Sequence, residues 1–284
     1  MRREPPASVR RQLRREIGFG CPVPGCGSPY LQWHHFDPPW RETQHHEPAG
    51  MIALCQEHHD KADAGAFTQD QLRELKQQGA SQSEDVRGRF DWLRRNLLAV
   101  VGGNMHYDTP IIFHFDNQPI IWFTRDEDRY MMLNIAMLST SGEPRMQMRD
   151  NFWLQRGAPL DLESPPNGKL LRVKYHNGDF LEVKFLKLDS ASSAASRYSE
   201  WQVAQLVQSG INFPITAVEV HNRVAGTDIE IGPRGSSLGG VMVTGSVFGS
   251  SRAAFVVGPD NNIPSDPADR WRYYPLNSAG LPPA

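Results

Sequence analysis

The cysteine and histidine residues of this 284-residue chain are concentrated in one short stretch. All three cysteines and six of the ten histidines lie between residues 21 and 59. Thiolates and imidazoles are the ligands that zinc prefers in small structural sites. A module of about 60 residues has a marginal hydrophobic core, and a bound metal ion is a common way to stabilise it. The stretch therefore predicts a compact metal-binding module.

Two pairs of residues have the spacing of a structural zinc site. Four residues separate Cys21 from Cys26 in a turn rich in Pro and Gly, and two separate Cys55 from His58. Both separations are typical of zinc-binding pairs. An odd number of cysteines also fits metal ligands or reduced thiols better than a disulfide framework. The alternative, cysteines that only pack in the core, is less favoured because these occur as pairs.

A second set of ligands is indicated by the helix predicted over 55–65. His59 and Asp63 are four residues apart and so share one helix face. His58 is rotated about 100° from His59, so one helix can present ligands to two sites. His34 and His35 lie on a predicted strand and would add a ligand and a general base. Adjacent strand residues face opposite sides, so both reach one site only if the strand twists or ends there.

The surrounding pattern predicts a strand, a loop, a second strand and a helix, followed by a supporting helix. Residues 30–36 are rich in aromatics and 51–54 are apolar, whereas 42–50 are polar. Thr68 and Gln71 form a capping box at the start of the supporting helix. The pair His45-His46 lies in the polar loop and is predicted to be exposed. Contact with a substrate or bracing of the loop is the alternative.

Taken in order, the Cys21/Cys26 pair, "WHHFDPP" and "GMIALCQEHHDKAD" resemble the HNH endonuclease family, which has a ββα-metal fold. The resemblance covers about residues 17–78. It implies that His35 is the general base, that a catalytic Mg²⁺, Mn²⁺ or other divalent ion is bound, and that a zinc ion is structural. The catalytic ion would be held by His34, His59 and Asp63. The zinc would be held by Cys21, Cys26, Cys55 and His58.

The chain departs from the family at Gly50, where an asparagine usually holds the loop and orients the base. Gln44, His46 or Glu47 could take over that role. Gly50 is the only sequence support for the alternative, a zinc-stabilised nucleic-acid-binding module without catalysis. The resemblance itself implies an endonuclease that hydrolyses phosphodiester bonds, with DNA as the expected substrate.

The first twenty residues carry a local excess of positive charge, although the whole chain has a net charge of −2. Arginine commonly grips backbone phosphates without reading sequence. The alternative, which has equal weight, is that these arginines only form the solvated face of a helix. The arginines expected to contact nucleic acid are Arg2, Arg3, Arg10, Arg11, Arg14 and Arg15.

The sequence predicts an α+β chain of three parts. Residues 1–80 form the HNH module with its basic arm, 81–103 a connecting helix, and 104–284 a mostly β domain, either a sandwich or solenoid-like. The apolar stripe of the connecting helix consists of Val86, Phe90, Leu93, Leu97 and Val100. The β domain could sense a ligand, tether a partner or form a homo-oligomer, and so control the nuclease. A role in antiviral or mobile-element conflict follows only by family-level analogy.

The sequence predicts a cytoplasmic protein without a membrane partner. No apolar run approaches the roughly 18 residues that a membrane-spanning helix needs. The N-terminal stretch is basic but lacks the apolar segment of a secretory signal.

Overall fold

A computed structural model describes residues 2–82, 86–263 and Trp271 of the chain. Over these residues the protein is a mixed α+β structure dominated by strands. An N-terminal unit carries three helices and a two-stranded sheet, and the rest is built mainly from two larger sheets. Among the helices of the described residues, none is long and apolar enough to cross a membrane.

The N-terminal unit has the predicted order of elements. Its two strands pair antiparallel, with His35 opposite Met51. The second strand is buried along its whole length and leads directly into a helix, so its last residue, Cys55, is also the helix N-cap. The elements are α1 (Ala7–Glu16), β1 (Leu31–His35), a 3₁₀ turn (Pro48–Gly50), β2 (Met51–Cys55), α2 (Gln56–Asp63) and α3 (Gln69–Gln82).

The predicted capping box at the start of α3 is confirmed. The backbone N–H of Gln71 donates to the Thr68 hydroxyl at 3.2 Å, and the Thr68 N–H donates to the Gln71 side chain at 2.8 Å. Two otherwise unpaired backbone donors at the helix start are satisfied in this way. Beyond the cap, Leu72 of α3 joins Leu13 of α1 in a small core with β2.

The first large sheet contains seven strands. They are β3 (Arg87–Arg89), β6 (Ile111–Phe115), β7 (Gln118–Arg125), β8 (Met131–Ala136), β9 (Gln147–Arg149), β10 (Phe152–Leu154) and β19 (Ala253–Val257). Their order along the sheet is β19-β6-β7-β8-β9-β10-β3. Neighbouring strands pair antiparallel, except that β19 runs parallel to β6.

The second large sheet contains ten strands. They are β4 (Leu97–Val101), β5 (Asn104–Tyr107), β11 (Pro159–Glu163), β12 (Leu170–Tyr175), β13 (Phe180–Leu188), β14 (Ile215–Arg223), β15 (Glu230–Gly232), β16 (Gly235–Leu238), β17 (Val241–Val243) and β18 (Val247–Gly249). Strands β11 to β17 follow one another along the sheet, and the other three join it beside β14. There β4 pairs in parallel with β14 and antiparallel with β5, and β5 pairs in parallel with β18. Two short helices, α4 (Ala191–Ala195) and α5 (Glu200–Gln208), connect β13 to β14.

The two large sheets share one hydrophobic core. Ile121 and Leu133 of the first sheet and Val183 and Val218 of the second are fully buried in the same cluster. The strands of both sheets thus contribute to one β unit with a common core.

The predicted connecting helix over 81–103 is wrong for the residues that the structure describes beyond the end of α3. Part of the prediction, at 83–85, lies outside the described residues. Beyond it the chain forms β3 and β4, and Val86 and Phe90 enter the shared core of the sheets. The run "LLAVV" of β4 is buried throughout, as in a central strand with neighbours on both sides. The segment thus belongs to the β unit.

Candidate functional site

Cys21, Cys26, Cys55 and His58 converge at one place in the N-terminal unit, as the sequence predicts. The Cys26 and Cys55 sulfurs lie 3.7 Å apart. The His58 Nδ1 atom lies 3.2 Å from the Cys55 sulfur and 3.4 Å from the Cys21 sulfur. All three cysteines are free thiols.

These distances match the edges of a tetrahedral metal site. With metal–sulfur bonds of about 2.3 Å and metal–nitrogen bonds of about 2.0 Å, ligand sulfurs lie about 3.8 Å apart and sulfur lies about 3.5 Å from nitrogen. Burial raises the pKa of Cys21 and Cys55, and the neighbouring thiols add to this effect. A bound cation reverses that balance because it binds the thiolate form. The four residues can therefore hold a metal ion.

A second group of potential ligands consists of His34, His59 and Asp63. One carboxylate oxygen of Asp63 lies 3.1 Å from His34 Nδ1, and the other carboxylate oxygen of Asp63 lies 3.6 Å from His59 Nδ1. Two ligand atoms about 2.1 Å from one ion are at most about 4.2 Å apart, so both separations suit a shared ion. The two histidines are buried, whereas the Asp63 side chain is 47% exposed. The group is thus open on one side, as a catalytic metal site must be.

Helix geometry explains why adjacent histidines serve different groups. The α2 helix places His58 beside the cysteines and His59 beside His34. Successive helical residues are rotated by about 100°, whereas residues four apart share a face. Asp63 accordingly joins His59 and not His58. The structure thus places His58 and His59 in different groups of potential ligands.

His35 lies apart from both ligand groups in a cluster of aromatic rings. Its ring centroid is 4.7 Å from that of Trp40, 5.3 Å from that of His45 and 5.8 Å from that of His46. Both ring nitrogens are buried and make no well-aligned hydrogen bond among the described residues, although the His45 backbone interacts with the ring. Burial lowers the pKa of His35 to about 4, and the nearby His45 and His46 rings add to this effect. The imidazole is therefore neutral at physiological pH.

The pair His45-His46 differs from its predicted exposure. His45 is buried, and His46 is half-buried. The His46 ring stacks on Trp40 with centroids 5.4 Å apart, and its Nε2 lies 3.0 Å from the Arg2 carbonyl oxygen. Sequence reasoning missed Trp40 and His45 as part of this cluster. The only signal was that the loop carries three large rings within seven positions.

Comparisons with known proteins assign no family to this chain. No protein-family model matches it, no curated protein matches it, and no solved structure matches it.

The predicted arginine set is divided by the fold. Arg14 is buried, and its guanidinium donates two hydrogen bonds to the Asp161 carboxylate of β11, at 3.0 and 2.8 Å. A second carboxylate, that of Glu163, lies 3.6 Å away. A guanidinium that is buried and ion-paired in this way cannot contact a phosphate, so the prediction that Arg14 binds nucleic acid is wrong for this structure.

The other five arginines keep part of their surface free. Arg11 pairs with Asp161 at 3.3 Å while its side chain stays 49% exposed, and Arg15 donates to the Leu160 carbonyl oxygen at 2.9 Å. The Arg3 guanidinium lies 3.9 Å from Asp63. Arg10 forms an ion pair with Glu4, and the carbonyl oxygen of Arg2 lies 3.0 Å from His46 Nε2.

Replacing Arg14 with alanine is expected to lower the free energy of unfolding by about 3 kcal/mol, because among the described residues it leaves the buried Asp161 with only Arg11 as an ion-pair partner. Arg15→Ala is the matched control on the same helix, and its exposed side chain is expected to contribute less than about 1 kcal/mol. Urea denaturation of both variants measures the difference. Equal losses would contradict a buried pair, and the double variant Arg14→Ala/Asp161→Ala should recover part of the loss.

Proposed function

We propose that the N-terminal unit is an HNH endonuclease that hydrolyses phosphodiester bonds, with DNA as its substrate. The observation that carries this proposal is the division of α2 between two ligand groups, with His58 in one and His59 in the other. One group is closed and rich in thiols, which suits a structural zinc ion. The other has three ligands and an open side, which suits a catalytic ion.

In this proposal His35 is the general base that takes a proton from the attacking water. Its neutral imidazole is the form that can accept a proton. His34, His59 and Asp63 hold the catalytic divalent ion, which when bound neutralises charge on the scissile phosphate and on the leaving oxygen. Of the predicted phosphate-binding arginines, Arg3 contacts this group, with its guanidinium 3.9 Å from Asp63.

Access to His35 requires a movement. Because both of its ring nitrogens are buried, water and substrate reach them only when Trp40 or His46 moves aside. The same burial favours the second candidate function, a zinc-stabilised module that binds nucleic acid without cutting it. The retained ligands His34, His59 and Asp63 favour the endonuclease, since a binding module has no use for an open metal site.

A cleavage assay on plasmid DNA and on RNA, with a series of divalent ions, tests the class, the substrate and the metal together. We expect nicking or linearisation of the plasmid in the presence of a divalent ion and none with a chelator in excess. A chain of all 284 residues that binds DNA but does not cut it with any ion would support the binding module.

Cleavage is expected to be faster with Mn²⁺ than with Mg²⁺. Two of the three proposed ligands are imidazoles, which bind transition metals, whereas Mg²⁺ prefers a shell of oxygen ligands. The rates at saturating concentrations of each ion measure this preference. His59→Asp is the informative variant, because a second carboxylate should shift the preference towards Mg²⁺. An unchanged preference for Mn²⁺ in His59→Asp would show that His59 is not a ligand of the ion.

We further propose that the β unit controls the nuclease. The support is the joint between α1 and β11, where Arg14 and Asp161 connect the N-terminal unit to the second large sheet. Tyr30 adds a second connection, since its hydroxyl accepts a hydrogen bond from the Arg89 N–H at 2.9 Å. Ligand sensing, partner binding and self-association stay open as the means of control.

A further inference from the structure

His45 occupies an unusual position for a loop residue. It lies in the polar segment between β1 and β2, yet only 9% of its surface is exposed. Its neighbours Gln44 and Glu47 are exposed. A histidine that is buried in an otherwise exposed loop has a packing or hydrogen-bonding reason for its position.

Both ring nitrogens of His45 are used to hold the loop. The backbone N–H of Glu47 lies 3.1 Å from Nδ1 and donates to it, so Nδ1 is the unprotonated nitrogen. Nε2 therefore carries the proton and donates it to the Pro38 carbonyl oxygen at 2.9 Å. The ring thus fastens one end of the loop to the other in a single tautomer.

The ring of His45 also sets the position of His35. The two rings meet edge to face, with centroids 5.3 Å apart and planes at 88°. Because the His35 ring makes no well-aligned hydrogen bond among the described residues, its orientation depends on packing and on the neighbouring backbone of His45. Of the rings that pack on it, His45 is the one whose two nitrogens are both bonded within the loop.

Gly50 leaves the space that this arrangement needs. A Cβ atom on Gly50 would lie 1.8 Å from the Asp37 carbonyl oxygen and 3.0 Å from the His45 ring. The Gly50 carbonyl oxygen accepts hydrogen bonds from the N–H groups of Phe36 and Asp37, at 2.9 and 3.2 Å. Any side chain at position 50 would push the ends of the loop apart and displace His45.

We propose that His45 is a positioning residue that fixes the orientation of the His35 imidazole by bracing the loop around it. His45 does not contact substrate in this proposal, which rests on the proposed role of His35 as general base. A residue of this kind acts on the chemical step and not on binding, since a base misplaced by about 1 Å can cost about 100-fold in rate.

The kinetic test compares His45→Ala and His45→Gln with the unaltered chain. His45→Ala should lower kcat by about 10- to 100-fold, with KM for DNA changed by less than about threefold. His45→Gln retains an amide that can donate to Pro38, so it should recover part of kcat. His176→Ala, at an exposed position in the β unit, is the control for loss of a histidine and should change neither constant. A His45→Ala protein with unchanged kcat would overturn the proposal.

A second measurement does not depend on cleavage. In amide hydrogen exchange by NMR, the Glu47 N–H should be protected in the zinc-loaded protein and should exchange freely in His45→Ala. The His35 ring resonances should move in the same variant and stay unchanged in His176→Ala. If the unaltered chain does not cut DNA, the proposed function fails, and these signals decide separately whether His45 fixes His35. Unchanged Glu47 exchange and unchanged His35 resonances would overturn the positioning role.

Discussion

Replacing Cys26 with serine is expected to unfold the N-terminal unit and to abolish binding of about one zinc ion per chain. The core of this unit is small, and its buried members cluster around β2. Zinc binding to a structural site of this type contributes about 10–16 kcal/mol, which is comparable with the whole stability of a domain. Elemental analysis measures the zinc, and limited proteolysis with mass spectrometry locates the unfolded segment. A chelator in excess should reproduce the effect in the unaltered chain.

The adjacent histidines of α2 provide the matched pair for this prediction. His58→Ala removes a ligand of the thiol-rich group and is expected to cost folding, as Cys26→Ser does. His59→Ala removes a ligand of the open group and is expected to leave the zinc bound and the unit folded while cleavage is lost. A Cys26→Ser or His58→Ala protein that stays folded without zinc would refute the stabilising role of the metal.

The ligand groups could be predicted from sequence because their geometry is local. The relation between His58, His59 and Asp63 depends only on helical rotation, and that between Cys55 and His58 only on a helix beginning at Cys55. The pairing of β1 with β2 then brings His34 towards α2. Spacing along the chain therefore predicts these relations, whereas the choice of His34 over His35 as a ligand came from the resemblance to the HNH family.

The connecting segment could not be predicted because its partners are distant. Leu97 pairs with Thr216, which lies more than a hundred positions later in the chain. A short apolar run with ambiguous periodicity fits a helix stripe or a buried strand equally well. The segment forms a strand because β14 and β5 provide hydrogen-bond partners for the backbone groups of β4 on both sides.

Burial of individual side chains was also beyond the sequence. Arg14 belongs to a basic run that reads as an exposed helix face, but its carboxylate partner is 147 positions away. His45 belongs to a polar loop, but its acceptor is the Pro38 carbonyl oxygen, a backbone atom that the sequence does not distinguish. In both cases tertiary contacts, and not residue type, decide which side chains are available to a substrate.

Replacing His35 with alanine is expected to reduce DNA cleavage by at least about 100-fold while both ligand groups stay intact. General base catalysis by a histidine contributes about 10²- to 10⁴-fold. Single-turnover cleavage measures the chemical step. Elemental analysis of zinc and EPR of bound Mn²⁺ check that the Cys21 and His34 groups still hold their ions.

Chemical rescue separates a base from a residue that only packs. Truncation of His35 leaves a space between Trp40 and His45 that matches an imidazole ring. Imidazole added to His35→Ala should therefore restore part of the cleavage, in proportion to its unprotonated fraction, whereas it should do nothing for His59→Ala. Restoration by imidazole would also establish that the site opens to solvent, since both ring nitrogens of His35 are closed off when Trp40 and His46 lie in place. Cleavage by His35→Ala at the unaltered rate, with zinc and Mn²⁺ bound, would remove His35 from the reaction and leave the attacking water to be activated by the ion alone.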